Sequence, residues 1–176
     1  AKPRFIYSKN NVLYMYDDGT SERMSEDSCD KYTLTDDNNR LIYISYGDLW
    51  YRDIENKDNK PHKIAPGVTE YNVNSDGSKI VYIKENGDIF TGTTDGKIEK
   101  VGENCSDSNE LFINDSGERI AYFTNDRKFI LADVSQGHKI IVNELICGNS
   151  TVKCSDNLSV IIIGRGYYVN DESVSD

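Results

Sequence analysis

At 176 residues, with 37% hydrophobic side chains, the chain has enough apolar matter for one core or one sheet-rich array, and its 12 Tyr, 5 Phe and single Trp exclude a disordered segment. Thirty acidic against twenty basic side chains give a formal charge of −10 and a pI near 4.7, which repels a phosphate backbone or an anionic membrane surface and excludes nucleic acid as a partner. The longest aliphatic run, Val160-Ile161-Ile162-Ile163, falls far short of the roughly 18 apolar residues of a membrane span, and no charged-then-apolar leader opens the chain, so the sequence reads as soluble.

In chain order, Arg4-Phe5-Ile6-Tyr7 begins a short strand, Lys9-Asn10-Asn11 turns it, and Val12 to Tyr16 runs back. Asp17-Asp18-Gly19 leads to a third run, Ser21 to Met24. Tyr32 to Thr35 closes in Asp36-Asp37-Asn38, followed by Arg40-Leu41-Ile42-Tyr43, the turn Tyr46-Gly47 and Asp48 to Tyr51. Tyr71 to Asn74 closes in Ser75-Asp76-Gly77, then come Lys79-Ile80-Val81-Tyr82, Glu85-Asn86-Gly87, Asp88 to Thr91, Asp95-Gly96 and Lys97 to Val101. Asn86-Gly87 predicts a two-residue hairpin turn with both central residues at positive φ. Leu111 to Asn114 closes in Asp115-Ser116-Gly117, before Arg119-Ile120-Ala121-Tyr122, Asn125-Asp126, Lys128 to Ala132, Gln136-Gly137 and His138 to Val142. Thr151 to Cys154, Ser155-Asp156-Asn157, Ser159-Val160-Ile161-Ile162 and Gly166 to Val169 end the series.

The anchor phrase therefore returns at spacings of 36, 39, 40 and 40 residues. Turn formers every eight to twelve residues exclude a helical solenoid, and four short strands per forty residues mark a β-propeller blade. The expected fold is all-β, a propeller of four-stranded antiparallel blades with four to five repeats, as one domain over 1–176 with units at 4–30, 31–69, 70–109, 110–149 and 150–176. The first unit lacks its inner strand and the last its outer one. That predicts either an irregular five-bladed ring or part of a larger propeller, and an open sheet edge through which copies can associate.

The stretch "VNSDGSKIVYIKENGDIFTGTTDGKIEKV" resembles the WD40-like repeat of TolB-type propellers: an inner strand ending in Ser-x-Asp-Gly, a Lys-Ile-x-Tyr strand, an Asp-Ile-x strand and an outer strand. The match covers almost the whole chain. It departs from the pattern at "TDDNNR", which lacks the turn glycine, and in the last unit, where Ile162 stands in place of Tyr. The resemblance implies a non-catalytic binding scaffold for a protein or peptide, at the bacterial cell surface or envelope. The other readings are an accessory or catalytic propeller domain of a lyase or peptidase, and a structural array that oligomerises through open edges.

No residue pattern calls for a cofactor, a metal or an enzyme. His62 in "PHKI" and His138 in "GHKI" fall at the same place in alternate units, as outer-strand surface residues that one metal ion cannot bridge. The Asp-Gly turns lack EF-hand spacing, and no G-x-S-x-G nucleophile motif occurs. Cys29, Cys105, Cys147 and Cys154 form no CxxC pair; Cys147 and Cys154 either bridge across Gly148-Asn149 or stay as thiols. The triplets at Asn104, Asn114, Asn149 and Asn157 bear on glycosylation only in a eukaryotic secretory protein. Tyr7, Tyr43, Tyr82 and Tyr122 are expected to pack between blades with their phenol groups reaching a polar edge. Of Trp50 and Tyr51, one turns into the packing and its neighbour away from it.

The candidate ligand site is the mouth of a central channel. Aligning the inner strands on Thr35, Asn74, Asn114 and Cys154 places Lys31, Glu70, Glu110 and Ser150 four residues earlier, and Asp30, Thr69, Asn109 and Asn149 five earlier. Asp30, Lys31, Glu70, Asn109, Glu110 and Asn149 are the residues expected to meet a ligand there.

Overall fold

A computed structural model describes residues 4–55, 60–106, 110–135, 137–145, 152–163 and 167–170. Every regular element among them is a strand: β1 (Arg4–Lys9), β2 (Val12–Asp17), β3 (Thr20–Arg23), β4 (Cys29–Leu34), β5 (Arg40–Ser45), β6 (Asp48–Asp53), β7 (His62–Ala65), β8 (Val68–Val73), β9 (Lys79–Lys84), β10 (Ile89–Thr93), β11 (Ile98–Gly102), β12 (Phe112–Ile113), β13 (Arg119–Phe123), β14 (Lys128–Asp133), β15 (Lys139–Leu145), β16 (Val152–Cys154), β17 (Val160–Ile163) and β18 (Tyr167–Asn170). They form antiparallel meanders in sequence order. Three are four-stranded, β4–β7, β8–β11 and β12–β15; two are three-stranded, β1–β3 and β16–β18. Two compact units divide the chain, residues 1–68 and 69–176, with the boundary inside β8.

In the first unit, Leu13 and Met15 of β2 pack with Leu41 and Tyr43 of β5, and Met24, Cys29 and Ile54 complete the cluster. Alternation along each strand sends one set of side chains into this cluster and the other to the opposite face. In the second unit, Val81, Ile83 and Ile89 of one sheet pack with Ile120, Tyr122, Ile130 and Ala132 of the next. Ala121, Phe129 and Leu131 in turn meet Ile161 and Leu158. Each full burial of such a side chain contributes about 1.5–3 kcal/mol, so these interleaved faces hold successive sheets together.

The turns differ from one another in a way the sequence only partly announces. Asn10-Asn11, Asp18-Gly19 and Tyr46-Gly47 are two-residue hairpins with both residues at positive φ. Asn86-Gly87 is not. Only Gly87 is left-handed (φ 79°), and Lys84 N–H donates to the Asp88 carbonyl across a three-residue loop. Thr124 and Lys128 close the same loop in the next sheet, where Arg127 takes the left-handed position at φ 64°.

The turns that end the inner strands share another device. Arg40, Lys79 and Arg119 each donate the backbone N–H to the side-chain oxygen of Thr35 (3.0 Å), Asn74 (2.9 Å) and Asn114 (2.8 Å). In the last sheet the equivalent turn runs from Ser155 to Leu158, with Leu158 at φ 54° where Gly77 and Gly117 stand. Cys154 pairs with Ile161 as Ile113 pairs with Ile120. The last unit is therefore displaced by one residue from the sequence alignment: Ser155, not Cys154, matches Asn114, and Ile163, not Ile162, replaces the repeated Tyr.

Candidate functional site

Of the residues expected at a channel mouth, two lie in the first unit. Asp30 is the extra residue of a bulge in β4, between Cys29 opposite Ser45 and Lys31 opposite Ile44, and it is exposed. A bulge re-aims one side chain and interrupts pairing, which accounts for the loose register at this end of the strand. Lys31 is half-buried. Two more lie in the second unit. Glu70, on β8, is only 4% exposed and accepts the Tyr71 N–H at 3.0 Å, while Glu110 is half-buried just ahead of β12. Asn109 and Asn149 lie outside the described residues, as does Ser150; by the corrected register Ser150, not Asn149, stands five residues before the strand end. The burial of Glu70 gives this carboxylate a local backbone role rather than an open face for a ligand.

Adjacent inner strands of the second unit are joined by side chains instead of a ladder. Asn72 Nδ2 donates to the Leu111 carbonyl at 2.9 Å, Asn74 Nδ2 to the Asp115 carbonyl at 2.9 Å, and Ser75 N–H to Asp115 Oδ1 at 3.2 Å. Asn74 thus serves both its own turn and the neighbouring strand, while Asn72 accepts the Val73 N–H within its own strand.

Cys29 and Cys105 each open a stretch after a left-handed residue, Ser28 (φ 62°) and Asn104 (φ 60°), as Val68 does after Gly67 (φ 64°). Both are buried like that valine. Burial, then the Asp30 charge, pushes the Cys29 thiol up to about 11; burial, then Asp88, pushes Cys105 up to about 12. Such thiols are protonated at neutral pH and act as small apolar side chains. Cys154 is a free thiol, raised to about 11 by burial and then by the Glu110 carboxylate; Cys147 lies outside the described residues. Among the described residues no group of three His, Cys, Asp or Glu side chains is placed to hold a metal.

The histidines do not occupy equivalent places. His62 sits in β7 opposite Tyr51 and stacks on its ring at 6.0 Å, exposed, whereas His138 precedes β15 at φ 62° and is half-buried. Burial pulls the His138 pKa down, against the Glu99 charge, and among the described residues its Nδ1 has no hydrogen-bond partner.

The repeated tyrosines Tyr43, Tyr82 and Tyr122 are buried, Tyr43 and Tyr122 between successive sheets as expected. Tyr43 departs in one respect: its hydroxyl is buried with no hydrogen-bond partner among the described residues, so it reaches no polar edge. Tyr122 fits because position 102 is glycine; a Cβ there would stand 2.8 Å from the Tyr122 hydroxyl and 2.6 Å from Ile89 Cγ2. Trp50 packs half-buried against the cluster of the first unit, with the Lys63 ammonium 5.0 Å from its ring centroid, and Tyr51, on the other face of β6, is buried as well.

Sequence reasoning passed over the feature that distinguishes the first sheet. Phe5 stacks on Tyr16 (5.1 Å) and Tyr7 on Tyr14 (5.5 Å), a cross-strand aromatic ladder on β1 and β2. Tyr7 donates its hydroxyl to Ser21 Oγ at 3.2 Å. The matching positions of β5, Leu41 and Tyr43, and of β13, Ile120 and Tyr122, are buried against the preceding sheet, yet Phe5 is 47% exposed. The signal was available in Phe5, Tyr7, Tyr14 and Tyr16, which alternate across the first hairpin.

No protein-family model matches the chain, and no curated protein matches it. Solved structures do. The chain is similar over 91% of its length to the tricorn protease, at 14% identity and a TM-score of 0.67, covering 18% of that chain. It is similar over 91% to Kluyveromyces lactis Hsv2, at 15% identity and 0.66, covering 53%, and to the Myceliophteria thermophila Cps50 (Swd1) beta-propeller domain, at 12% identity and 0.61, covering 60%. The chain thus spans less than two thirds of each. With meandering four-stranded sheets repeating every forty residues, these likenesses establish the fold: it is an all-β array of β-propeller blades.

Proposed function

We propose that the chain is a non-catalytic scaffold that binds protein or peptide partners. The observation that carries this reading is apolar side chains left open on the first unit, where Phe5, Tyr32 and Tyr46 are 47%, 42% and 69% exposed. Large exposed aromatics on a rigid sheet provide contact area at low entropic cost, which is the usual make-up of a protein-binding surface. The buried, protonated thiols and the backbone-bound Glu70 supply no nucleophile or acid–base pair that would favour catalysis.

A thermal-shift screen of the chain against extended peptides, glycans and divalent cations tests the reading, because a ligand specific for the folded state raises Tm by mass action. A dose-dependent rise with peptides is expected. A rise with glycans or cations alone overturns it. The resemblance to TolB-type repeats supports a place at the bacterial envelope, which fractionation of cells making the full-length protein checks. The likeness to part of the tricorn protease favours a second reading, an accessory domain beside a catalytic one; loss of peptidase activity in the full-length protein when residues 1–176 are deleted would favour it.

A further inference from the structure

Asn86-Gly87 is the one Asn-Gly bond in the sequence; each of the other asparagines is followed by a residue with a side chain. Asparagine is a thermolabile residue type, and glycine after it, having no Cβ, leaves the backbone nitrogen bare to close on the side-chain amide carbon. The pair stands in the loop between β9 and β10, with Asn86 exposed and Gly87 buried. The groups that would react are held there. Gly87 N–H donates to the Lys84 carbonyl at 2.8 Å, Asn86 Oδ1 accepts the Asp88 N–H at 3.1 Å, and Asn86 Nδ2 donates to Asp88 Oδ2 at 3.0 Å. The other Asp88 oxygen pairs with Lys100 Nζ at 2.7 Å. Gly87 is also tied to the segment that leads into the next sheet: its carbonyl accepts the Cys105 N–H at 2.9 Å, and a Cβ on it would stand 3.3 Å from the Cys105 carbonyl oxygen. Cys105 lies in the buried cluster with Ile83, Ile89, Ile120 and Tyr122.

We propose that Asn86 is a site of covalent self-modification: opening of this loop lets the chain convert Asn86 into aspartate or isoaspartate, and the isoaspartate form loses the tie between Gly87 and Cys105. The Gly87 nitrogen gives its proton to solvent and attacks Asn86 Cγ. As the new N–Cγ bond forms, the Cγ–Nδ2 bond breaks and Nδ2 leaves as ammonia, taking a proton from solvent. Water then opens the cyclic imide. Cleavage at Cγ yields aspartate; cleavage at the Asn86 backbone carbonyl carbon yields isoaspartate, whose main chain runs through Cβ and Cγ. Water is the sole co-reactant, and nothing is oxidised or reduced. Either product sets a new carboxylate between Glu85 and Asp88 and removes the amide that donates to Asp88. Isoaspartate also adds a main-chain atom to a loop of three residues whose ends are fixed by the Lys84 N–H on the Asp88 carbonyl at 2.9 Å. The longer path carries the Gly87 carbonyl away from Cys105, so a change at an exposed tip reaches the buried cluster behind it. While the loop is shut, the bonds that hold Gly87 N–H and both Asn86 side-chain atoms restrain the reaction, and its rate follows local opening.

The test follows the full 176-residue chain through incubation at neutral pH and physiological temperature, with peptide mass spectrometry to locate converted asparagines and an isoaspartyl methyltransferase to label isoaspartate. Asn86 is expected to convert before any other asparagine of the folded chain, with isoaspartate label in the same peptide. Its rate should be about tenfold or more below that of the same chain unfolded in urea. Asp88→Ala, which frees the Asn86 amide and keeps glycine after it, should raise the folded-state rate by about threefold or more and leave the rate in urea within about twofold. Hydrogen exchange at the Cys105 amide should be faster in the isoaspartate form than in the fresh chain. Conversion spread evenly over the asparagines of the folded chain, or none at Asn86 while the unfolded chain converts there, overturns the site. Equal rates with and without urea, or an unchanged folded-state rate in Asp88→Ala, overturn the restraint by the loop, and unchanged Cys105 exchange overturns the loss of the tie.

Discussion

A tyrosine buried whole leaves its hydroxyl to be accounted for, and at Tyr43 nothing among the described residues accounts for it. Burial pushes that phenol up to about 12, so the cost is a desolvated, neutral O–H. An unsatisfied buried polar group costs about 1–3 kcal/mol, so Tyr43→Phe should raise stability by about 1 kcal/mol, read as a higher urea midpoint at unchanged slope. A fall in the midpoint would show that the hydroxyl has a partner. His138 gives a pH dependence. Its folded pKa lies below the ordinary 6.5, so the fold favours the neutral ring; its contribution is present above the unfolded pKa and is lost as pH falls through the folded one. Between about pH 7 and about pH 5, Tm should fall more steeply for the native protein than for His138→Asn, a change that the left-handed backbone tolerates. Parallel curves would sink the assignment. At this scale the sequence is partly legible. Tyr43, Tyr82 and Tyr122 read as packing residues because alternation exposes their face, but nothing in "SCDK" or "NCSD" says that Cys29 and Cys105 fill the slot of Val68, since the left-handed residue before each is Ser or Asn rather than Gly.

Among the elements, the strands were readable from apolar alternation and turn chemistry, and their ends agree with the structure to within a few residues. Loop length was less so. Asn86-Gly87 carries the strongest two-residue signal in the chain and yet belongs to a three-residue loop, because the pairing of Lys84 with Asp88 leaves one more residue to accommodate and only the last takes positive φ. The same geometry at Thr124 to Lys128 puts exposed Arg127 where glycine stands in the preceding sheet. Relieving a side chain of the left-handed conformation gains about 0.5–1 kcal/mol after the entropy of glycine is set against it, so Arg127→Gly should raise the midpoint modestly. A drop would mean that the Arg127 side chain makes a stabilising contact. The one-residue displacement of the last sheet has a related cause: Leu158 occupies a glycine's place, so the turn lacked the punctuation by which the others were aligned.

For the molecule as a whole, fold and function were unequally legible. The forty-residue period needs only strand and turn signals, which are local, and it carried the propeller assignment. The expected mouth required knowing which polar side chains stay open, which alternation does not record: Glu70 is buried and accepts the Tyr71 N–H of its own strand. The aromatic ladder of the first sheet depends on pairing between two strands, which no single strand's sequence records.

One backbone hydrogen bond recurs between consecutive repeats. Cys29 donates its N–H to the Asn11 carbonyl, Val68 to that of Gly47 and Cys105 to that of Gly87, at 2.7, 2.8 and 2.9 Å. Each of these three hairpins is thus latched by a residue about twenty positions further along the chain. During synthesis each of these three hairpins, once it has emerged from the ribosome, waits for this clasp until the start of the next repeat is made.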